Sequence, residues 1–95
     1  MKSLHHWIDG KPDAGSSGRH GPVLNPATGA QEKQVPFASA EEIDTAVAAA
    51  KTAFTTWGQT SLARRTEILF RFRALLDANR DAIAELITAE HGKVH

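Results

Sequence analysis

From Ser39 onward the apolar residues recur at helical spacing, and that periodicity limits this chain more than any other feature. Ser39 followed by Glu42 has the form of a capping box, in which hydroxyl and carboxylate each satisfy a free backbone donor. Ile43, Ala46, Val47, Ala50, Phe54 and Trp57 then follow the i, i+3, i+4, i+7 rule, so one helix spans about residues 40 to 57. Gly58 closes this first helical unit, residues 39–58, and Thr60 or Ser61 caps the next. Residues 60–92 form a second helical stretch, with Leu62, Ile68, Leu69, Phe72, Leu75 and Leu76 in a wider stripe. Asn79 marks a bend or boundary, after which Ile83, Leu86 and Ile87 carry the pattern to about His91. Gly92 stands where a left-handed helix end is expected, and Lys93 suits the negative end of the dipole. Together these units predict an amphipathic helical hairpin.

Residues 1–38 read differently. Trp7 and Ile8 have strand propensity, and Asp9-Gly10 is a hairpin turn pair. Glycines 15, 18 and 21 make a polar connection, read as a hairpin loop, and Asn25-Pro26 and Thr28-Gly29 are turn signals. "EKQVPF" predicts a further strand, with Pro36 at an edge or an end. Two or three short antiparallel strands are expected here, giving an α+β fold overall.

Eleven basic and eleven acidic residues cancel, so no global field attracts nucleic acid or an anionic membrane. No apolar run approaches the roughly 18 residues that span a bilayer, and "MKSLHHWIDGK" lacks the apolar core of a signal peptide. A cytoplasmic protein is expected. The chain has no cysteine, hence no disulfide and no thiol nucleophile. So few large apolar residues in so short a chain leave little to offset backbone ordering, and the chain should need a partner surface.

Four clusters could carry chemistry. His91 and His95 are four apart, but two ligands are fewer than zinc requires and Gly92 breaks the helix that would align them. His5 and His6 are neighbours on a strand and point to opposite faces. "GSSGRHG" invites a phosphate cradle, yet no strong strand precedes it and no helix opens after it. Arg64, Arg65, Arg71, Arg73 and Arg80 could form a basic face, but Glu67, Asp77, Asp81 and Glu85 are interleaved with them. That alternation implies a solvated face with i, i+4 pairs. No metal site, acid–base pair or activated nucleophile can be assembled from these residues.

The ordered segments "WIDGK", "NPATG", "VPFASAEEIDTAVAAAKTAFTTW" and "SLARRTEILFRFRALLDANRDAIAELITAEHGK" resemble the opening of an aldehyde dehydrogenase. The likeness extends over nearly all of residues 1–95. "GSSGRHGPVLNPATG", "TSLARR" and "EHGK" are most similar to the CoA-acylating methylmalonate-semialdehyde branch. The resemblance implies an NAD-dependent homo-oligomer that oxidises an aldehyde through a cysteine thiohemiacetal and thioester, then passes the acyl group to coenzyme A. It also implies that this segment is scaffold, packed on elements encoded later.

The family's chemistry needs a cysteine, because a thiolate attacks readily at neutral pH, and this chain has none. Its cofactor glycines, general-base glutamate and oxyanion asparagine have no counterparts here, and neither Asn25 nor Glu90 is promoted to those roles. The expectation is an N-terminal dehydrogenase segment with no catalytic, cofactor-binding or metal residue, inactive alone, whose partner is the remainder of the dehydrogenase. The alternative is a standalone helical protein-interaction module, suggested by Phe54, Trp57 and the wide stripe of the second helix.

Overall fold

The computed structural model describes residues 2–94. Five short strands precede three helices, an α+β arrangement. β2 (His6–Ile8) and β3 (Lys11–Asp13) form an antiparallel hairpin with Ile8 opposite Lys11. That register leaves Asp9 and Gly10 as a two-residue turn, with φ of 54° and 76°. Two positive φ values in succession match the right-handed strand twist, which is why Asp-Gly is favoured there.

β4 (His20–Leu24) and β5 (Gln31–Pro36) form a second antiparallel pair. Their connection is closed by Asn25, whose Oδ1 accepts from the Ala27 and Thr28 amides at 2.8 and 3.2 Å. β1 (Lys2–Ser3) lies on the other edge of β5 and runs parallel to it, with Lys2 opposite Lys33. The antiparallel expectation therefore fails for this pair. A parallel neighbour needs a long crossover rather than a tight turn, and the whole hairpin lies between β1 and β5. Pro36 falls at the end of the central strand, where its missing N–H costs no ladder bond.

α1 (Ala40–Trp57) begins with the full capping box. The Glu42 amide donates to Ser39 Oγ at 3.1 Å, and the Ser39 amide to Glu42 Oε1 at 3.0 Å. α2 (Leu62–Ala78) is capped by Ser61, which accepts from the Arg64 amide, while the Thr60 hydroxyl turns back to the Thr56 carbonyl. α3 (Arg80–His91) follows after the single residue Asn79. The Asn79 side chain donates to the Leu75 carbonyl at 2.8 Å, and its φ of −112° breaks the helical run. Gly92, at φ 80°, ends α3 in the left-handed conformation.

The three helices follow the strands as the helical part of the expected α+β arrangement, and their apolar faces lie open. Ile43, Val47 and Phe54 on α1 are exposed, as are Leu69, Phe72 and Leu75 on α2. Among the described residues Pro36 is buried, but no aliphatic or aromatic side chain is. The radius of gyration is 17.1 Å, against roughly 12 Å for a compact domain of this length. Periodicity identifies which face of a helix is apolar; it does not supply what covers that face. α1 lies beside the β2–β3 hairpin, where Ala46, Ala50 and Ala53 share a groove with Trp7 and Ile8. α3 approaches the other sheet, where Ile83, Leu86 and Ile87 share a shallow groove with Leu4 and Lys33 Nζ lies 4.0 Å from Glu90 Oε1.

Candidate functional site

Polar groups from separate segments converge at one place, where the β2–β3 hairpin, the glycine loop and the start of α1 meet. Glu42 is the hub. Its Oε1 accepts from the Ser39 amide at 3.0 Å and from the Ser16 amide at 3.3 Å. Its Oε2 lies 3.9 Å from His6 Nε2, with both atoms shielded from solvent and without a hydrogen-bond partner. The Ser39 amide holds the Glu42 carboxyl below the usual glutamate range against the opposing effect of burial, helped by the Ser16 amide, the Ser39 hydroxyl and His6. Gly15 is wedged into this junction. A Cβ there would lie 3.2 Å from Pro36 Cβ and 3.3 Å from His6 Nε2, and its φ of 80° disfavours any side chain.

This geometry decides what the glycine loop does. It connects β3 to β4, which lie in different sheets, so it is not a hairpin loop. The Gly15 amide donates to Asp13 Oδ1 at 2.8 Å and the Ser16 amide to Glu42. The Ser17 hydroxyl donates to the Phe37 carbonyl and accepts from the Arg19 amide, while Arg19 Nη2 donates to the Ala38 carbonyl at 3.1 Å. A phosphate cradle needs amides free to point at an anion. Here two are committed to carboxylates of the chain itself, whose charge would repel one.

The other candidates stay apart. His91 is the last residue of α3, and His95 lies outside the described residues. Among the described residues no three His, Asp or Glu side chains cluster as a metal site would require. His5 and His6 diverge: His5 is exposed and His6 turns to Glu42. Arg64 pairs with Glu67 at 3.2 Å and Arg80 with Asp77 at 3.5 Å, at i, i+3 rather than i, i+4 spacing. Asn25 is occupied in its turn and donates to Glu32, and Glu90 faces Lys33. Sequence reading found Glu42 as a cap but missed its second oxygen and the His6 contact. The one available signal was a capping-box glutamate following a glycine loop and a histidine strand, and spacing alone does not bring those together.

The model of the aldehyde dehydrogenase family matches residues 13–95. The chain belongs to the aldehyde dehydrogenase family. Malonate-semialdehyde dehydrogenase 3 of Geobacillus kaustophilus is 47% identical over 94 residues, covering 99% of this chain and 19% of that protein. The malonate-semialdehyde dehydrogenase of Pseudomonas aeruginosa is 42% identical over 93 residues, covering 98% and 18%. Among solved structures, a methylmalonate-semialdehyde dehydrogenase of Sinorhizobium meliloti 1021, described as complexed with NAD, superimposes with a TM-score of 0.93. It is 41% identical and is matched over 96% of this chain and 18% of its own. The chain thus spans about a fifth of the length of these aldehyde dehydrogenases. Among the described residues, no helix is long and apolar enough to cross a membrane.

Proposed function

We propose that these residues are the N-terminal scaffold of an NAD-dependent, CoA-acylating semialdehyde dehydrogenase acting on malonate or methylmalonate semialdehyde. The observation that carries the reading is the whole-chain match: 47% identity over 99% of the chain to a malonate-semialdehyde dehydrogenase. The near-identical backbone of the Sinorhizobium relative supports it. The role fits the physics of the segment. Capping box, glycine loop and hairpin form a rigid polar junction, while the apolar helix faces are free to meet later elements of the enzyme. The remainder of the dehydrogenase is the partner, in a cytoplasmic homo-oligomer that binds neither nucleic acid nor membrane.

In this reading the segment holds no catalytic, cofactor-binding or metal residue and is inactive alone. The chain has no cysteine to form the acyl thioester. Its residues do not fit NAD or CoA either: the Gly15 and Ser16 amides of its glycine loop are bound to Asp13 and Glu42, and no dinucleotide fingerprint opens a helix. A chimera tests the proposal. Residues 1–95 replace the matching segment of the Geobacillus enzyme, and NADH formation is followed with either semialdehyde and CoA. Activity near that of the parent is expected, with none from residues 1–95 alone. A folded chimera without activity, or turnover by the short chain, would overturn the reading.

A further inference from the structure

The β2–β3 hairpin is a two-stranded sheet of its own, outside the three-stranded ladder of β1, β5 and β4, and such a sheet is marginal by itself. Along α1 it meets Ala46, Ala49, Ala50 and Ala53, short side chains that bury little area. Its polar tie to α1 is His6, and that tie is incomplete. Glu42 Oε1 is occupied by the Ser39 and Ser16 amides. Glu42 Oε2 and His6 Nε2 face each other at 3.9 Å, both shielded from solvent and both without a hydrogen bond. At that distance neither neutral tautomer of the imidazole completes a bond: one sets a lone pair against the carboxylate, and the other holds its N–H too far away. Gly15 keeps the gap clear, since a Cβ there would lie 3.3 Å from Nε2 and 3.5 Å from Oε2.

We propose that this contact is a proton-operated clasp: neutral His6 leaves the hairpin loosely tied to the head of α1, and protonated His6 locks it by a charged hydrogen bond to Glu42 Oε2. Charged bonds of this kind run at about 2.7–2.9 Å, so closure shortens the 3.9 Å gap by about 1 Å. The surrounding charges favour the closed form. Asp13 stands opposite His6 in the β2–β3 ladder, and Glu41 joins Asp13, Ser16 and Glu42 around a shallow groove at the head of α1. Pro36, from the end of β5, adds no charge, and Arg19 is turned to the Ala38 carbonyl. Among the described residues no Lys or Arg pairs with Asp13, Glu41 or Glu42. A proton on His6 therefore enters a field of carboxylates. Glu42 stays ionised through the neutral range, its carboxyl being held low by the Ser39 amide. The His6 side chain is 20% exposed, which leaves the proton a way in. The clasp is thus closed below the histidine range and opens as pH rises through it, around pH 6 to 7. Acid removes the contribution of Glu42 itself, so the junction is tightest between the two titrations. This inference stands on the geometry of the junction and does not depend on the enzymatic reading above.

Proton NMR of the 95-residue chain from about pH 5 to 8 tests it, following the His6 ring Hε1 and the Ser16 amide. Both should shift with one common midpoint, because Ser16 donates to the other oxygen of Glu42. Glu42→Gln keeps a side chain that can close the capping box but removes the charge. It should lower the His6 midpoint by about 0.5 pH unit, a roughly threefold loss of proton affinity. His6→Gln should remove the Ser16 inflection, whereas His5→Gln, at the exposed neighbour, should leave it in place. Three results would each overturn the proposal: a Ser16 amide indifferent to His6 ionisation, a His6 midpoint unmoved or raised by Glu42→Gln, or Gly15 and Ser16 amides at unfolded positions throughout. Because no catalytic readout is used, failure here leaves the dehydrogenase reading intact, and failure of the chimera leaves this one intact.

Discussion

The strand half and the helical half obtain their structure in opposite ways. Residues 2–38 are held by specific polar contacts: the Asp9-Gly10 turn, the Asn25 turn, the β4–β5 ladder and the Glu42 junction. Residues 39–91 are held by caps and by the helical backbone itself, and their apolar stripes rest on little else. Helices of 12 to 18 residues are marginal in water without tertiary packing. The difference teaches that local correctness and closure of a core are separate achievements. This chain has the first in both halves and the second in neither.

The comparison can be broken or sharpened by substitution. The largest effect is expected at Gly15, where a valine would meet Pro36 and His6 and would also be forced to positive φ. Loss of about 2–4 kcal/mol is expected for Gly15→Val, seen as early thermal loss of the hairpin and α1 signals in an NMR melt. Ser39→Ala should cost about 1 kcal/mol, the usual value of an N-cap, and should lower the helicity of α1 while leaving α2 unchanged. Comparable loss in α2 would mean that the two helices are coupled more tightly than their contacts suggest.

Acid offers a gentler probe of the same junction. The Glu42 carboxyl lies below its ordinary value of 4.5 in the folded chain, so the unfolded state binds its proton more readily. Its contribution is therefore fully present above the ordinary value and is lost as pH falls through the depressed one. The Ser16 amide resonance should report that midpoint below 4.5, and Glu42→Gln should abolish the transition. The smallest effect is expected on the helical side. Leu86 is 59% exposed, so Leu86→Ala should change the stability of the short chain by no more than about 0.5 kcal/mol. In a complete dehydrogenase that covered this face, the same change would cost about 2–5 kcal/mol. Paired urea titrations of the two proteins make that contrast measurable.

What could be read in the sequence follows the same division. Local rules gave the Asp-Gly turn, the capping box, the helix break at Asn79 and the left-handed Gly92, because each depends on residues within a few positions. The parallel pairing of β1 with β5 was not legible, since nothing in two strand residues specifies a neighbour about thirty positions away. The link between sheets made by the glycine loop was missed for the same reason. So was the contact between Glu42 and His6, which joins a helix cap to a strand 36 positions earlier. The helical stripes set a different limit: they were legible in the sequence, but an apolar stripe specifies burial and not the surface that provides it.

Hydrogen exchange resolved by residue, on the 95-residue chain in dilute solution, tests the central claim most directly. An account in which the strand half is held by its own polar contacts and ladder, and the helices wait for a covering surface, predicts slower exchange in the β4–β5 ladder than in α2 and α3. Protection of α2 and α3 equal to or above that of the ladder in the dilute chain would contradict it.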